Sequence, residues 1–278
     1  MLVTLKEILA AAEQNSVAVG AFNTTGLESL LAVLDAAQEL HTPVIISHAQ
    51  VHESILPMHV IGPIMLHFAQ EASVPVCVHL DHGTSPEYCR QAMELGFTSI
   101  MFDASGLPYQ ENIALTRSVC DQAHARGVSV EAELGQLSVS EDGSSSADLF
   151  TDPFQAAEFV QETGVDALAV SFGTAHGIYH AAPCLDFQRV AEIRKQVPVP
   201  LVMHGGSGVC DSDYQQAIQS GIRKINYYTY MALAGADAVK EKLTQNSQSP
   251  VYFHDMAQWG YSGMKEQVLH VMRVFHHR

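Results

Sequence analysis

Eight short apolar, β-rich runs recur along the chain at intervals that each leave room for one helix, and this repeat constrains the fold more than any other feature. They are Val17 to Phe22, Pro43 to Ser47, Pro75 to Leu80, Ser99 to Phe102, Val128 to Glu133, Ala167 to Phe172, Pro200 to Met203 and Lys224 to Tyr227. Each run is apolar without alternation, the pattern of a strand covered on both faces. Helical stretches lie between them with recognisable punctuation. Ser85-Pro86 and Asp152-Pro153 place a capping oxygen ahead of proline at a first helical position. Gly96, Gly127, Gly164 and Gly221 each follow a helical run shortly before the next strand. Such alternation predicts parallel strands joined by helical crossovers. A count near eight favours closure into a (β/α)₈ barrel over an open, doubly wound sheet.

At 278 residues with 47% hydrophobic content, the chain can bury one barrel core, and no linker or low-complexity tract divides it. It is therefore read as a single domain over residues 1–278. Met1 to Ala12 reads as an amphipathic helix, and Ser138 to Asp148 as a serine-rich βα loop long enough to be a lid. The 14 Lys+Arg against 30 Asp+Glu leave a formal charge of −16, which excludes nucleic acid as an expected partner. A phosphorylated ligand would have to be held locally, by backbone amides and a cation. Five cysteines without CxxC spacing suggest neither a disulfide framework nor a zinc ribbon. With no apolar run long enough to span a bilayer and no export signal, the expectation is a cytoplasmic protein without a membrane partner.

Almost every predicted strand ends in a polar residue: Asn23, Ser47, Asp81 with His82, Asp103, Glu133, His176, His204 and Asn226. In a barrel these ends converge on one face, so residues far apart in sequence would surround one point. His82, His176 and His204 could each offer a ring nitrogen to one divalent ion, and zinc suits such a set. Each lies at or near glycine, in Asp81-His82-Gly83, His176-Gly177 and His204-Gly205-Gly206-Ser207-Gly208, where backbone can approach a ligand closely. The last run follows a strand and precedes a helix near Asp211 to Ser220, a setting for a backbone phosphate cradle. His79, inside its strand, reads as structural support.

The motifs His79-Leu80-Asp81-His82, Phe102-Asp103-Ala104-Ser105, Glu131-Ala132-Glu133-Leu134-Gly135, Gly173-Thr174-Ala175-His176-Gly177, His204-Gly205-Gly206-Ser207-Gly208 and Lys224-Ile225-Asn226 resemble, in order, those of class II fructose- and tagatose-bisphosphate aldolases. The resemblance implies a metal-dependent aldolase that cleaves a phosphorylated ketose to dihydroxyacetone phosphate and an aldehyde. It implies that His82, His176 and His204 bind catalytic Zn²⁺, with Asp103 and Glu133 near an alternative metal position. Asp81 would be the acid/base acting on the C4 hydroxyl, and zinc a Lewis acid on the C2 carbonyl. Glu141 would be the mobile acid that returns a proton to the enediolate. Phosphate would lie against Gly177 and Gly205, with Ser207, Asn226 and Thr229 completing the cradle and a monovalent cation, Na⁺ or K⁺, close by. Ser47 and Asn23 would meet the far end of the substrate and the chain being cleaved. Relatives are homodimers or homotetramers.

Three departures bear on the substrate. Asn226-Tyr227-Tyr228-Thr229-Tyr230 has an aromatic where the family commonly has an acid. His180 stands where many relatives carry a lysine. Arg273 and Arg278 give no obvious counterpart to the arginine that meets a second phosphate. A monophosphorylated ketose or keto-acid sugar is therefore expected to serve at least as well as a bisphosphate. Two other readings remain at this stage: a Schiff-base aldolase using Lys224, the one lysine near a strand, and a catalytically silent sugar-phosphate- or metal-binding barrel.

Overall fold

The computed structural model describes residues 1–135, 150–245 and 249–277. Eight strands, β1 (Val19–Asn23), β2 (Val44–Ala49), β3 (Val76–Gly83), β4 (Ser99–Phe102), β5 (Ser129–Leu134), β6 (Ala167–Val170), β7 (Leu201–Met203) and β8 (Ile222–Tyr227), form a closed parallel barrel in sequence order. The helices are α1 (Leu5–Asn15), α2 (Leu27–Leu40), α3 (Met58–Glu71), α4 (Pro86–Leu95), α5 (Tyr109–His124), α6 (Pro153–Thr163), α7 (Phe187–Gln196), α8 (Asp211–Ser220), α9 (Thr229–Gln245) and α10 (Phe253–Phe275). The open-sheet alternative is excluded because β1 pairs in parallel with both β2 and β8, with Ala21 opposite Ile45 on one side and Asn226 on the other.

Local signals operate where the sequence places them. Ser85 caps α4 by accepting from the Tyr88 amide, and Asp152 caps α6 by accepting from the Phe154 and Gln155 amides. The N-terminal helix begins later than expected, at Leu5, because Thr4 and Glu7 form a reciprocal capping box. The residues ahead of it extend instead, with Leu2 bridging Val76 and the Met1 ammonium donating to the carbonyls of Ala69, Ala72 and Val74. The apolar face of α1 (Leu5, Ile8, Leu9, Ala12) packs against Val19, Ala21, Ile45, Cys77, Ala167, Ala169 and Val202. These are barrel-interior positions, so α1 stoppers the N-terminal mouth and leaves the opposite mouth for polar side chains.

Strand ends differ from the sequence reading in ways that matter for the site. β2 runs through Ser47 to Ala49, because Ser47 and Ala49 stay in register with His79 and Asp81 of β3. β3 itself continues to Gly83, with a register shift against β4 between Leu80 and Gly83. The backbone of His82 takes up that irregularity at φ +50°, in the left-handed region. No described helix is long and apolar enough to cross a membrane.

Candidate active site

The C-terminal mouth opens into a cavity of about 610 Å³ whose walls include Asn23, Asp81, His82, Asp103, Glu133, His176, Gly177, Gly205, Ser207, Asn226 and Thr229. These residues come from the ends of β1, β3, β4, β5 and β8, from the loops after β6 and β7 and from the start of α9, so the barrel brings together residues as far apart in sequence as Asn23 and Thr229. Two of the sequence-stated positions lie elsewhere. Ser47 is buried within β2 with its Oγ unpartnered, and His180 is exposed; neither lines the cavity. Glu141 lies outside the described residues.

Imidazoles occupy the centre. Ring centroids of His82 lie 4.7 Å from His204 and 5.1 Å from His176. Potential ligand atoms of the three histidines all fall within 4.8 Å of one another, and a second set, His82, Asp103 and Glu133, meets the same condition. The surroundings orient the rings. His82 Nδ1 lies 2.7 Å from Asp103 Oδ2, and His204 Nε2 lies 2.8 Å from Glu131 Oε1. Each carboxylate draws the proton of the nitrogen it faces, which presents His82 Nε2 and His204 Nδ1, 2.9 Å apart, to a common point. Asp103 is braced in turn, its Oδ1 accepting from the Ser105 amide and hydroxyl. Buried Glu133 has an Oε2 without a partner, an acceptor that a cation would satisfy. The donor set therefore fits a divalent ion.

Behind His204 lies an ion pair that the sequence reading missed. Fully buried Lys224 Nζ reaches Glu131 Oε2 at 2.8 Å and Oε1 at 3.1 Å. This placement removes the Schiff-base reading, since the Lys224 amine is committed to a carboxylate in the barrel interior and no described lysine lines the cavity. The spacing of Glu131 and Glu133, two apart on one strand, puts both on the same side, but nothing in the sequence pairs Glu131 with Lys224.

Asp81 is held by amides on both oxygens. Asn226 Nδ2 donates to Oδ1 at 3.0 Å and Asn23 Nδ2 to Oδ2 at 2.9 Å. Burial alone would raise its carboxyl, but the imidazoles of His82 and His204 and the Lys224 ammonium hold it far below the usual range. Asp81 is thus a fixed anion able to accept a proton. Burial and the carboxylate of Asp103 push Glu133 the other way, up to about 8. Burial lowers His82, yet Asp81, Asp103 and Glu133 outweigh it and raise the imidazole to about 9.

A consequence for metal loading follows. At pH 7 the metal-free site carries protons on His82 and Glu133, and a ligand must shed its proton to coordinate. Loading a divalent ion is expected to release protons into weakly buffered solution. Apparent affinity should climb with pH up to the His82 value of about 9 and level off above it. Affinity that stays flat between pH 6 and 9 would contradict this arrangement.

Glycine shapes the wall between the loops after β6 and β7. Gly205 has φ +64°, and a Cβ there would collide with the Ala175 carbonyl. Tyr179 ties the two loops, its hydroxyl accepting from the Ala175 amide at 2.7 Å and donating to the Gly205 carbonyl at 2.9 Å. Ser207 Oγ accepts from the Tyr228 amide at 3.0 Å, so the turn after β8 joins this wall. The helix that meets the cavity is α9, through its first residue Thr229; no residue of α8 lines it, and the first turn of α8 carries Asp211 and Asp213.

A family model described as Fructose-bisphosphate aldolase class-II matches residues 3–278. A fructose-bisphosphate aldolase of Staphylococcus aureus (strain Mu50) is 41% identical over 255 residues, covering 90% of this chain and 88% of its own. The crystal structure of the YdjI aldolase from Escherichia coli K12 superposes with a TM-score of 0.89 at 39% identity, over 99% of this chain and 97% of that one. A putative fructose-1,6-biphosphate aldolase from Coccidioides immitis gives 0.87 at 28% identity, over 98% and 95% of the two chains.

Proposed function

The chain belongs to the class II fructose-bisphosphate aldolase family and is a metal-dependent aldolase, and on that premise we propose that it cleaves a ketose 1-phosphate to dihydroxyacetone phosphate and an uncharged aldehyde, with zinc as the metal. His82, His176 and His204 would hold the ion, and Asp103 and Glu133 with His82 would offer it a second position. When bound, the ion supplies Lewis-acid polarisation of the substrate C2 carbonyl. The observation that carries the reading is Asp81, clamped by Asn23 and Asn226, in the same cavity as His82 and His176 and beside His204.

The residues divide the work as follows. Asp81 takes the proton of the C4 hydroxyl as the C4–O bond becomes a carbonyl. The C3–C4 pair of electrons stays on the dihydroxyacetone phosphate half, and Glu141 returns a proton to its C3. Gly177, Gly205, Ser207, Asn226 and Thr229 seat the phosphate on backbone and hydroxyl donors, with a monovalent cation beside them, which suits a chain of net charge −16. Family resemblance supports a homodimer or homotetramer, and five free cysteines fit a reducing cytoplasm.

No described lysine or arginine lines the cavity, which supports the preference for one phosphate over two. The zinc-loaded protein is expected to cleave ketose 1-phosphates with kcat/KM at least equal to that for the matching 1,6-bisphosphates, and to lose activity to a chelator and regain it with zinc. A strong bisphosphate preference would overturn the substrate assignment. Insensitivity to chelation would overturn the metal assignment.

A further inference from the structure

The loop after β2 carries a histidine that the chemistry above leaves unused. His52 lines the cavity, no described residue hydrogen bonds to its ring, and its Nδ1 is buried without a partner. A shielded imidazole nitrogen left unpaired costs free energy, which a ligand group can relieve. The ring rests on Tyr228, with centroids 4.7 Å apart and planes tilted by 51°. That contact joins the loops following β2 and β8, the two strands that flank β1, whose last residue Asn23 clamps Asp81.

The loop is built to hold His52 still. Gln50 Oε1 accepts from the Thr84 amide at 2.8 Å, tying the loop to the residue after His82-Gly83. Glu53 Oε2 accepts from the Tyr88 hydroxyl at 2.5 Å and the Met58 amide at 2.9 Å, and lies 3.2 Å from His48 Nε2. His52 is thus anchored on both sides in sequence and propped by an aromatic ring from the loop on the far side of β1. Burial lowers its ring below the ordinary histidine value despite the Asp81 carboxylate, so at neutral pH it offers a donor and an acceptor and no charge.

We propose that His52, supported by Tyr228, is a specificity-determining residue for the aldehyde half of the substrate, hydrogen bonding to a hydroxyl of an uncharged polyhydroxy chain. The assignment rests on the aldolase reading above and adds the chemistry of the far end. A neutral imidazole reads a hydroxyl group, whereas a second phosphate dianion calls for arginine or lysine, and no described arginine or lysine lines the cavity.

The test runs the condensation with the zinc-loaded protein, dihydroxyacetone phosphate and a series of aldehydes: glycolaldehyde, glyceraldehyde and the four-carbon aldoses. His52→Ala is expected to raise KM for the four-carbon aldehydes by roughly 5- to 10-fold, the worth of one hydrogen bond, with a smaller effect on glycolaldehyde and on kcat. His52→Asn, which keeps a donor and an acceptor, should recover part of the loss, and it supplies the comparison if the alanine variant does not fold. An equal effect on every aldehyde, or none, would overturn the proposal. So would a larger loss with glyceraldehyde 3-phosphate than with glyceraldehyde, since His52 would then be serving a phosphate. Solvent exchange of a C3 proton of dihydroxyacetone phosphate by the wild-type protein requires no aldehyde. Its absence would count against the aldolase reading itself and not against His52.

Discussion

Asp81→Asn is expected to lower kcat for ketose phosphate cleavage by roughly 10²- to 10⁴-fold, the usual worth of a general acid/base. The substitution keeps the volume and one amide-accepting oxygen, so the zinc content, measured by elemental analysis, should stay near that of the wild type. What is lost is the anion. Asn23 and Asn226 now both donate to Asp81, and an amide in its place can receive only one of them without turning a donor on a donor. The acid limb of the wild-type pH profile should not reflect Asp81. Its carboxyl is depressed, so it remains ionised throughout the acid range in which the imidazoles gain protons. A variant that retained more than about a tenth of wild-type kcat would assign the proton transfer to another group.

Lys224→Met should be the most damaging substitution for stability among the polar positions of the barrel interior. It leaves the fully buried Glu131 carboxylate facing only His204 and His79, and breaking a buried pair from one side costs about 3–5 kcal/mol. The Lys224 ammonium, with help from His204, overcomes burial and holds Glu131 below its ordinary value. By linkage, the stability that Glu131 contributes is present above its unfolded value and lost as pH falls through the folded one. The variant should therefore be worst near neutral pH and converge on the wild type in acid. Adding Glu131→Gln removes the stranded charge and should restore much of the urea midpoint of metal-free protein. It would do so at a cost of roughly 10- to 100-fold in zinc affinity, because His204 exchanges a charged acceptor for a neutral amide that holds its tautomer less firmly. A single variant that unfolds at the wild-type urea midpoint would show that the pair is neutral.

The barrel and the convergence of its polar residues were legible because they depend on local patterns: strands apolar on both faces, capped helices, and a polar residue where each apolar run stops. What those patterns do not encode is where pairing stops. Ser47 looks like an end because hydropathy drops there, yet its backbone keeps its partners in β3 for two more residues, which places Ala49 rather than Ser47 at the cavity. Long-range pairing is equally silent. Glu131 and Lys224 are separated by 93 positions, and the motifs containing them show two good residues without showing that they meet. His52 was invisible for a third reason: its role rests on a loop conformation held by Gln50, Glu53 and Tyr88, and loop geometry leaves no periodic trace. The glycine run after His204 was read as leading into a phosphate-facing helix, whereas the helix that reaches the cavity starts one strand later, at Thr229.

His82 sits with φ +50°, a conformation that a side chain other than glycine or asparagine adopts at a cost of roughly 1–2 kcal/mol. The tension is borne by every folded copy, whether or not it ever meets sugar. Relaxing it would mean giving that position to glycine and surrendering the imidazole that belongs to both candidate ligand sets. Lineages that abandon turnover and keep the scaffold thus have a ready path to greater robustness, and the residue standing at this one position should distinguish a working relative from a retired one.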